Sequence, residues 1–154
     1  MAVFALFAGA QDHRSLCLFL DLNMSAADQS RAREAAIKFV QARTIPSDLL
    51  TIMFFTTEVK VVREFTGGRE ILVAALRGIA PYTPSTADSD SRLRALQTAA
   101  SMLGDTPGKM QLVYFARPDS RPVAGDLDLV MATVAAAERA NVAFYPVDVL
   151  SVPR

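Results

Sequence analysis

The sequence predicts an α/β protein, a three-layer α/β/α sandwich on a mostly parallel sheet with one antiparallel edge strand. Three observations predict it. Short apolar runs bounded by polar residues alternate with longer stretches of helical periodicity. The runs are continuously apolar rather than alternating, as strands covered on both faces require. Two strand-like segments also follow one another with only a turn between them, and such a hairpin is antiparallel. The resulting order, β-α-β-β-α-loop-α-β-α-β, is Rossmann-like.

The elements follow in chain order. Leu16-Cys17-Leu18-Phe19-Leu20 is a buried strand that stops at Asp21. Asp21-Leu22-Asn23-Met24-Ser25 breaks it with polar groups, and Ser25 with Asp28 three residues on fits a capping box. Ala26 to Arg43 is then helical, with Ala32, Ala36, Phe39 and Val40 on one face and Arg31, Glu34, Lys38 and Gln41 on the other. Pro46 closes it. Leu49 to Phe55 and Val59 to Phe65 form the hairpin, the second strand lying at a sheet edge. Glu70 to Ile79 is helical with an apolar stripe of Ile71, Leu72, Ala75, Leu76 and Ile79.

Residues 80–90 (APYTPSTADSD) form the longest irregular stretch, a loop rather than a linker. A third helix carries Leu93, Leu96, Ala100 and Leu103. Gln111 to Ala116 is another buried strand. Leu127, Val130, Met131, Val134 and Ala137 mark a fourth helix ending near Asn141. Val142 to Val147 is the last strand, weakened near its end by Pro146.

The chain has 154 residues, a length that fits one domain over residues 15–154. Residues 1–14 read as an N-terminal arm or an extra edge strand. Within them Ala2 to Phe7 is apolar and Ala8-Gly9-Ala10 resembles a signal-peptidase site, although no basic residue precedes it. Lys+Arg number 16 and Asp+Glu 16, so no basic surplus supports nucleic-acid binding. No apolar run reaches the ~20 residues of a membrane span. Cys17 has no disulfide partner and reads as a small core residue. His13, the one histidine, precedes the first strand and reads as exposed, so no Ser-His or Cys-His pair is in view.

In such sheets ligands bind beyond the carboxyl ends of the strands. The groups expected there are Asp21, Asn23 and Ser25; Thr83, Ser85, Thr86, Asp88 and Asp90; Arg117 and Asp119; and Asp148. This is an oxygen-rich set of the kind a hard cation prefers.

LCLFLDLNMSAADQSRAREAAIKFV, DLLTIMFFTTEVKVVREFTGGREILVAAL and ANVAFYPVDV together make the chain resemble a von Willebrand factor A domain, and more closely the bacterial VWFA-related domains, from about Leu16 to Val149. The resemblance implies a Rossmann-like sheet with an antiparallel edge strand, a protein-binding rather than catalytic role, and frequent export. It also implies a metal-ion-dependent adhesion site for Mg²⁺ or Mn²⁺, built from Asp-x-Ser-x-Ser, a loop Thr and an Asp after the fourth strand. Asp21 and Ser25 match the ends of that motif, Asn23 replaces its middle Ser, and Thr86 (or Thr83) stands for the Thr. Arg117 stands where the last Asp belongs. The expectation is therefore a degenerate site of Asp21, Asn23, Ser25, Thr86 and Arg117, with Thr83, Asp88 and Asp119 secondary. Arg117, or a water, is expected to take the cation's place beside Asp21. No tightly bound cofactor is expected; any weak Mg²⁺ or Mn²⁺ would use Asp21, Ser25 and Thr86.

Plainer readings stand beside these. Ser25 serves as an N-cap, Asn23 as a turn residue, and Met24 is either tucked under the helix or offered to a partner. FLDLN also resembles the Asp-x-Asp motif of haloacid-dehalogenase-like phosphatases, but Asn23 cannot transfer a proton. No glycine-rich phosphate loop follows the first strand, which disfavours a nucleotide site. The main alternative to protein binding is a scaffold or oligomerisation domain of a larger exported protein, associating through an edge strand.

Overall fold

The structure, a computed structural model, describes residues 14–84, 89–106, 108–117 and 127–150. The arm expected over residues 1–14 lies outside these except for Arg14. The elements are β1 (Ser15–Asp21), α1 (Ala26–Arg43), β2 (Leu49–Phe55), β3 (Val59–Thr66), α2 (Arg69–Arg77), α3 (Ser89–Leu103), β4 (Met110–Ala116), α4 (Leu127–Ala140) and β5 (Val142–Asp148).

The five strands lie in the order β3-β2-β1-β4-β5. β1 runs parallel between β2 and β4, with Leu18 beside Ile52 and Val113. β4 and β5 are parallel, and β2 and β3 antiparallel. The mostly parallel sandwich read from the apolar runs is the observed architecture. Alternate residues of β1 serve opposite layers. Leu16, Leu18 and Leu20 pack with Ala32, Ala36 and Val40 of α1 and Leu72 and Leu76 of α2. Cys17 and Phe19 pack with Leu96 and Ala100 of α3 and Leu112 and Tyr114 of β4. Burial pushes the Cys17 thiol well above its ordinary range, so it stays a neutral core group.

Two stripes differ from expectation. α2 stops at Arg77, capped by Gly78, and Ile71 is exposed, because only Leu72 and Leu76 face the sheet fully. In α4 the large residues Leu127, Met131 and Val134 point outward, and Thr133, Ala136 and Ala137 pack inward. The reason is close approach to α3: Thr133 accepts a hydrogen bond from Gln97 Nε2 at 2.9 Å and donates to Leu129 O at 2.8 Å. Small residues on this face let α4 pack against α3. α4 ends at Asn141, whose φ of 58° is left-handed, a conformation asparagine tolerates.

At the amino end of the sheet, Arg14 pairs with Asp48 through two bonds, Nη2 to Oδ2 at 2.7 Å and Nε to Oδ1 at 3.1 Å. Ile45 N also donates to Asp48 Oδ2 at 2.9 Å. Burial alone would raise the Asp48 pKa; the Arg14 guanidinium and the Ile45 amide outweigh it and hold the carboxyl below its usual range. A lowered folded-state pKa stabilises the fold above the unfolded carboxyl pKa, and that stability is lost as pH falls through the folded value. Asp48→Asn is therefore expected to cost about 2 kcal/mol at neutral pH. Urea unfolding of the two proteins down the pH scale should show the gap closing in acid.

Candidate functional site

The chain turns left to β2 and β3 and then returns to β4 and β5, so β1 and β4 flank the point where strand order reverses. A crevice at the carboxyl ends of these strands follows from that topology. β1 delivers Asp21 there. Its last residue pairs with Phe55 of β2, and its side chain is fully buried.

A buried carboxylate needs donors, and Asp21 has four. Oδ1 accepts Asn23 N–H at 2.9 Å and Asn23 Nδ2 at 3.2 Å. Oδ2 accepts Arg92 Nε at 2.8 Å and the Tyr114 hydroxyl at 3.2 Å. Asn23 is held in turn by its amide, which donates to Thr56 O at 2.8 Å. Its Oδ1 is buried with no hydrogen-bond partner.

Ser25 is exposed and caps α1, its Oγ accepting the Asp28 N–H at 3.2 Å. The reciprocal half of the expected capping box is not formed. The Asp28 carboxylate faces Arg117 instead, Nη1 to Oδ2 at 2.8 Å. Met24 is buried, tucked beneath the helix. Gln29 fixes the loop that follows α2: its Nε2 donates to Met24 O at 2.9 Å and Tyr82 O at 2.6 Å, and its Oε1 accepts Tyr82 N–H at 3.0 Å.

The structure thus brings Asp21, Asn23 and Ser25 to one edge and places Arg117 beside them, but with a different partner. The cation at Asp21 is Arg92, not Arg117. Arg92 lies in the first turn of α3, so the helix start sets it over the end of β1. Thr83 is exposed on the loop anchored by Gln29. Thr86, Asp88 and Asp119 lie outside the described residues. The groups missed from sequence are Arg92, Tyr114, Asp28 and Gln29. Tyr114 carried a signal: a tyrosine inside a buried strand needs a hydroxyl partner, and strand alternation aims it to the face of Phe19, whose ring it meets edge-on at 5.6 Å. Its ring also lines an apolar cavity of about 230 Å³ between α3, α4 and β5.

A divalent ion does not fit these residues as they stand. The four donors use the lone-pair directions of the Asp21 carboxylate. A doubly charged ion ~5 Å from the Arg92 guanidinium would be repelled by several kcal/mol at an effective dielectric near ~20. Among the described residues there is no group of three or more His, Cys, Asp or Glu side chains that could hold a metal ion.

No protein-family model matches the chain, and no curated protein matches it. Solved structures share its fold. An aerotolerance-related membrane protein from Bacteroides fragilis is 15% identical, with 88% of this chain and 92% of that one aligned at a TM-score of 0.51. The PilB minor pilin of Streptococcus sanguinis is 13% identical over 66% of this chain and 29% of that one, TM-score 0.54. Proximal thread matrix protein 1 of the mussel byssus is 8% identical over 87% of this chain and 35% of that one, TM-score 0.66. At these identities the likeness is one of fold. Among the described residues no helix is long and apolar enough to cross a membrane.

Gln29 offers a direct test of how the crevice is assembled. Gln29→Leu keeps the volume but leaves two carbonyls and one amide of buried or half-buried backbone without partners. It should cost about 2–3 kcal/mol. The Tyr82 amide should lose hydrogen-exchange protection first, while amides of β1 keep theirs.

Proposed function

We propose that the chain is a non-catalytic protein-binding module of von Willebrand A type, which recognises its partner at the carboxyl edge of the sheet. The observation that carries this reading is the place of the Asp21-Asn23-Ser25 run. It lies at the end of the central strand, where strand order reverses, beside a loop that Gln29 pins and an exposed Thr83. The fold likeness to a membrane protein, a pilin and a byssal matrix protein supports a placement outside the cytoplasm.

The chemistry of the crevice supports binding over catalysis. A phosphatase of the Asp-x-Asp kind would need Asp21 as a nucleophile with an oxygen free to attack phosphorus. Each Asp21 oxygen instead holds two donors, and Asn23 supplies no acid proton.

A second reading, association through an edge, is favoured by the surroundings of β5. Tyr145 on the strand and Leu127, Met131 and Val134 on α4 are large apolar residues left exposed. If it holds, light scattering after size exclusion finds an oligomer that Met131→Glu returns to monomer.

The main reading is tested by a photo-crosslinking amino acid placed singly at Thr83 or Ala27, on the carboxyl edge, and at Arg43 or Lys109, at the opposite end. In the native host, carboxyl-edge positions are expected to capture one discrete protein partner and the opposite positions none. Capture from Arg43 or Lys109 alone would reject the carboxyl edge as the binding face.

A further inference from the structure

Asp21 and Asp28 both lie at this edge, and each is paired with a guanidinium. Asp21 is fully buried against Arg92, whose side chain is 12% exposed, and Asp28 is paired with Arg117. Arg92 Nη2 also reaches toward Asn23 O at 3.4 Å. The Arg92 head is therefore seated between the carboxylate that ends β1 and the turn that follows it.

We propose that Arg92 is a resident cation, occupying the position that a divalent metal would need at Asp21, and that this edge works without metal. The argument is one of charge and of lone pairs. A carboxylate excluded from water must be neutralised by a cation nearby. A helix-borne guanidinium does this with directed N–H bonds and cannot be removed by a chelator. Tyr114 and Asn23 fill the remaining directions. Mg²⁺ or Mn²⁺ would have to displace the guanidinium from Asp21 Oδ2 or lie within a few ångströms of its fixed positive charge.

The same geometry has a converse. Asn23 Oδ1 is buried and accepts no hydrogen bond, so one oxygen acceptor stays unused in the crevice. With the guanidinium removed, the direction it fills at Asp21 Oδ2 is vacated, and the carboxylate with the unpartnered Asn23 Oδ1 two residues on offers oxygens of the kind a hard cation prefers. The structure thus assigns to Arg92 the exclusion of divalent metal from a latent oxygen site. The inference deepens the binding reading and rests on it for the role of the edge. The experiment reads Mn²⁺ alone, so it succeeds or fails separately from the crosslinking map.

The experiment is a titration with Mn²⁺, following free ion by electron paramagnetic resonance. Wild type, Arg92→Lys, Arg92→Gln and Arg92→Gln with Asp21→Asn are compared, with circular dichroism confirming fold. Wild type and Arg92→Lys are expected to bind no Mn²⁺ at millimolar concentration. Arg92→Gln is expected to gain at least about tenfold in Mn²⁺ affinity, as a site freed of a repelling unit charge should. Asp21→Asn should abolish the gain. Saturable Mn²⁺ binding by wild type that Asp21→Asn removes would overturn the proposal, as would a folded Arg92→Gln that binds no better than wild type. Should Arg92→Gln not fold, the Arg92 Nε–Hε signal of the wild-type protein decides. It stays sharp in millimolar Mn²⁺ if the guanidinium holds the site, and it broadens away if the ion enters beside it.

Discussion

Asp21 ends a strand from which water is excluded on both faces, and its carboxylate is buried with it. That single charge organises the carboxyl edge. It requires donors from three directions, and the chain supplies them from the turn that follows β1, from β4 and from the first turn of α3. The helix start of α3, the tilt of Tyr114 and the Asn23 turn are set by the same two oxygens. Removing one partner of a buried ion pair leaves the other unpaired, a cost of about 3–5 kcal/mol. Such a cost ties the turn after β1, the end of β4 and the start of α3 to one carboxylate.

The opposite end of the sheet shows the same constraint with different chemistry. A doubly covered sheet leaves little room for charge except at its ends, and there Asp48 is buried against Arg14. Arg14 is 42% exposed, however, and spends another donor on Arg43 O. That pair locks the turn from α1 to β2 and starts the parallel ladder, in which Leu49 N donates to Arg14 O. The amino end thus uses its ion pair to close a connection. The carboxyl end uses one to neutralise a crevice. The zero net charge of the chain conceals both.

What was legible in the sequence follows from where the physics is local. The apolar runs of β1, β2 and β4 specified buried strands, because only a strand covered twice needs such runs. Ala26 to Arg43 was readable to the residue because Ser25 opens it and Pro46 closes it. The N-cap role of Ser25 was readable for the same reason. The Arg92–Asp21 pair was not, since its partners lie 71 residues apart and arginine at a helix start is ordinarily solvated. Arg117 was the expected cation because it stands where the resemblance places an acidic residue after the fourth strand, but it pairs with Asp28 in the first turn of α1. The outward face of α4 was misread because periodicity locates an apolar stripe without saying whether large or small residues seat the helix.

The two edges of the sheet are unlike, and the difference bears on how the molecule can associate. β3 carries exposed Lys60, Arg63 and Glu64, charges that oppose addition of another strand. β5 carries Phe144, Tyr145 and Val147 and reads like an interior strand left at the margin. Yet Pro146 removes one ladder donor from it, a device suited to an edge. Strand addition is thereby weakened at both margins, by charge on one and by proline on the other. What remains open beside β5 is side-chain surface, formed by Leu127, Met131 and Val134 of α4 with Tyr145. A neighbour at that margin would gain its free energy from packing against a helix face rather than from extending the ladder. The polar carboxyl edge and this apolar margin are thus separate surfaces of different chemistry.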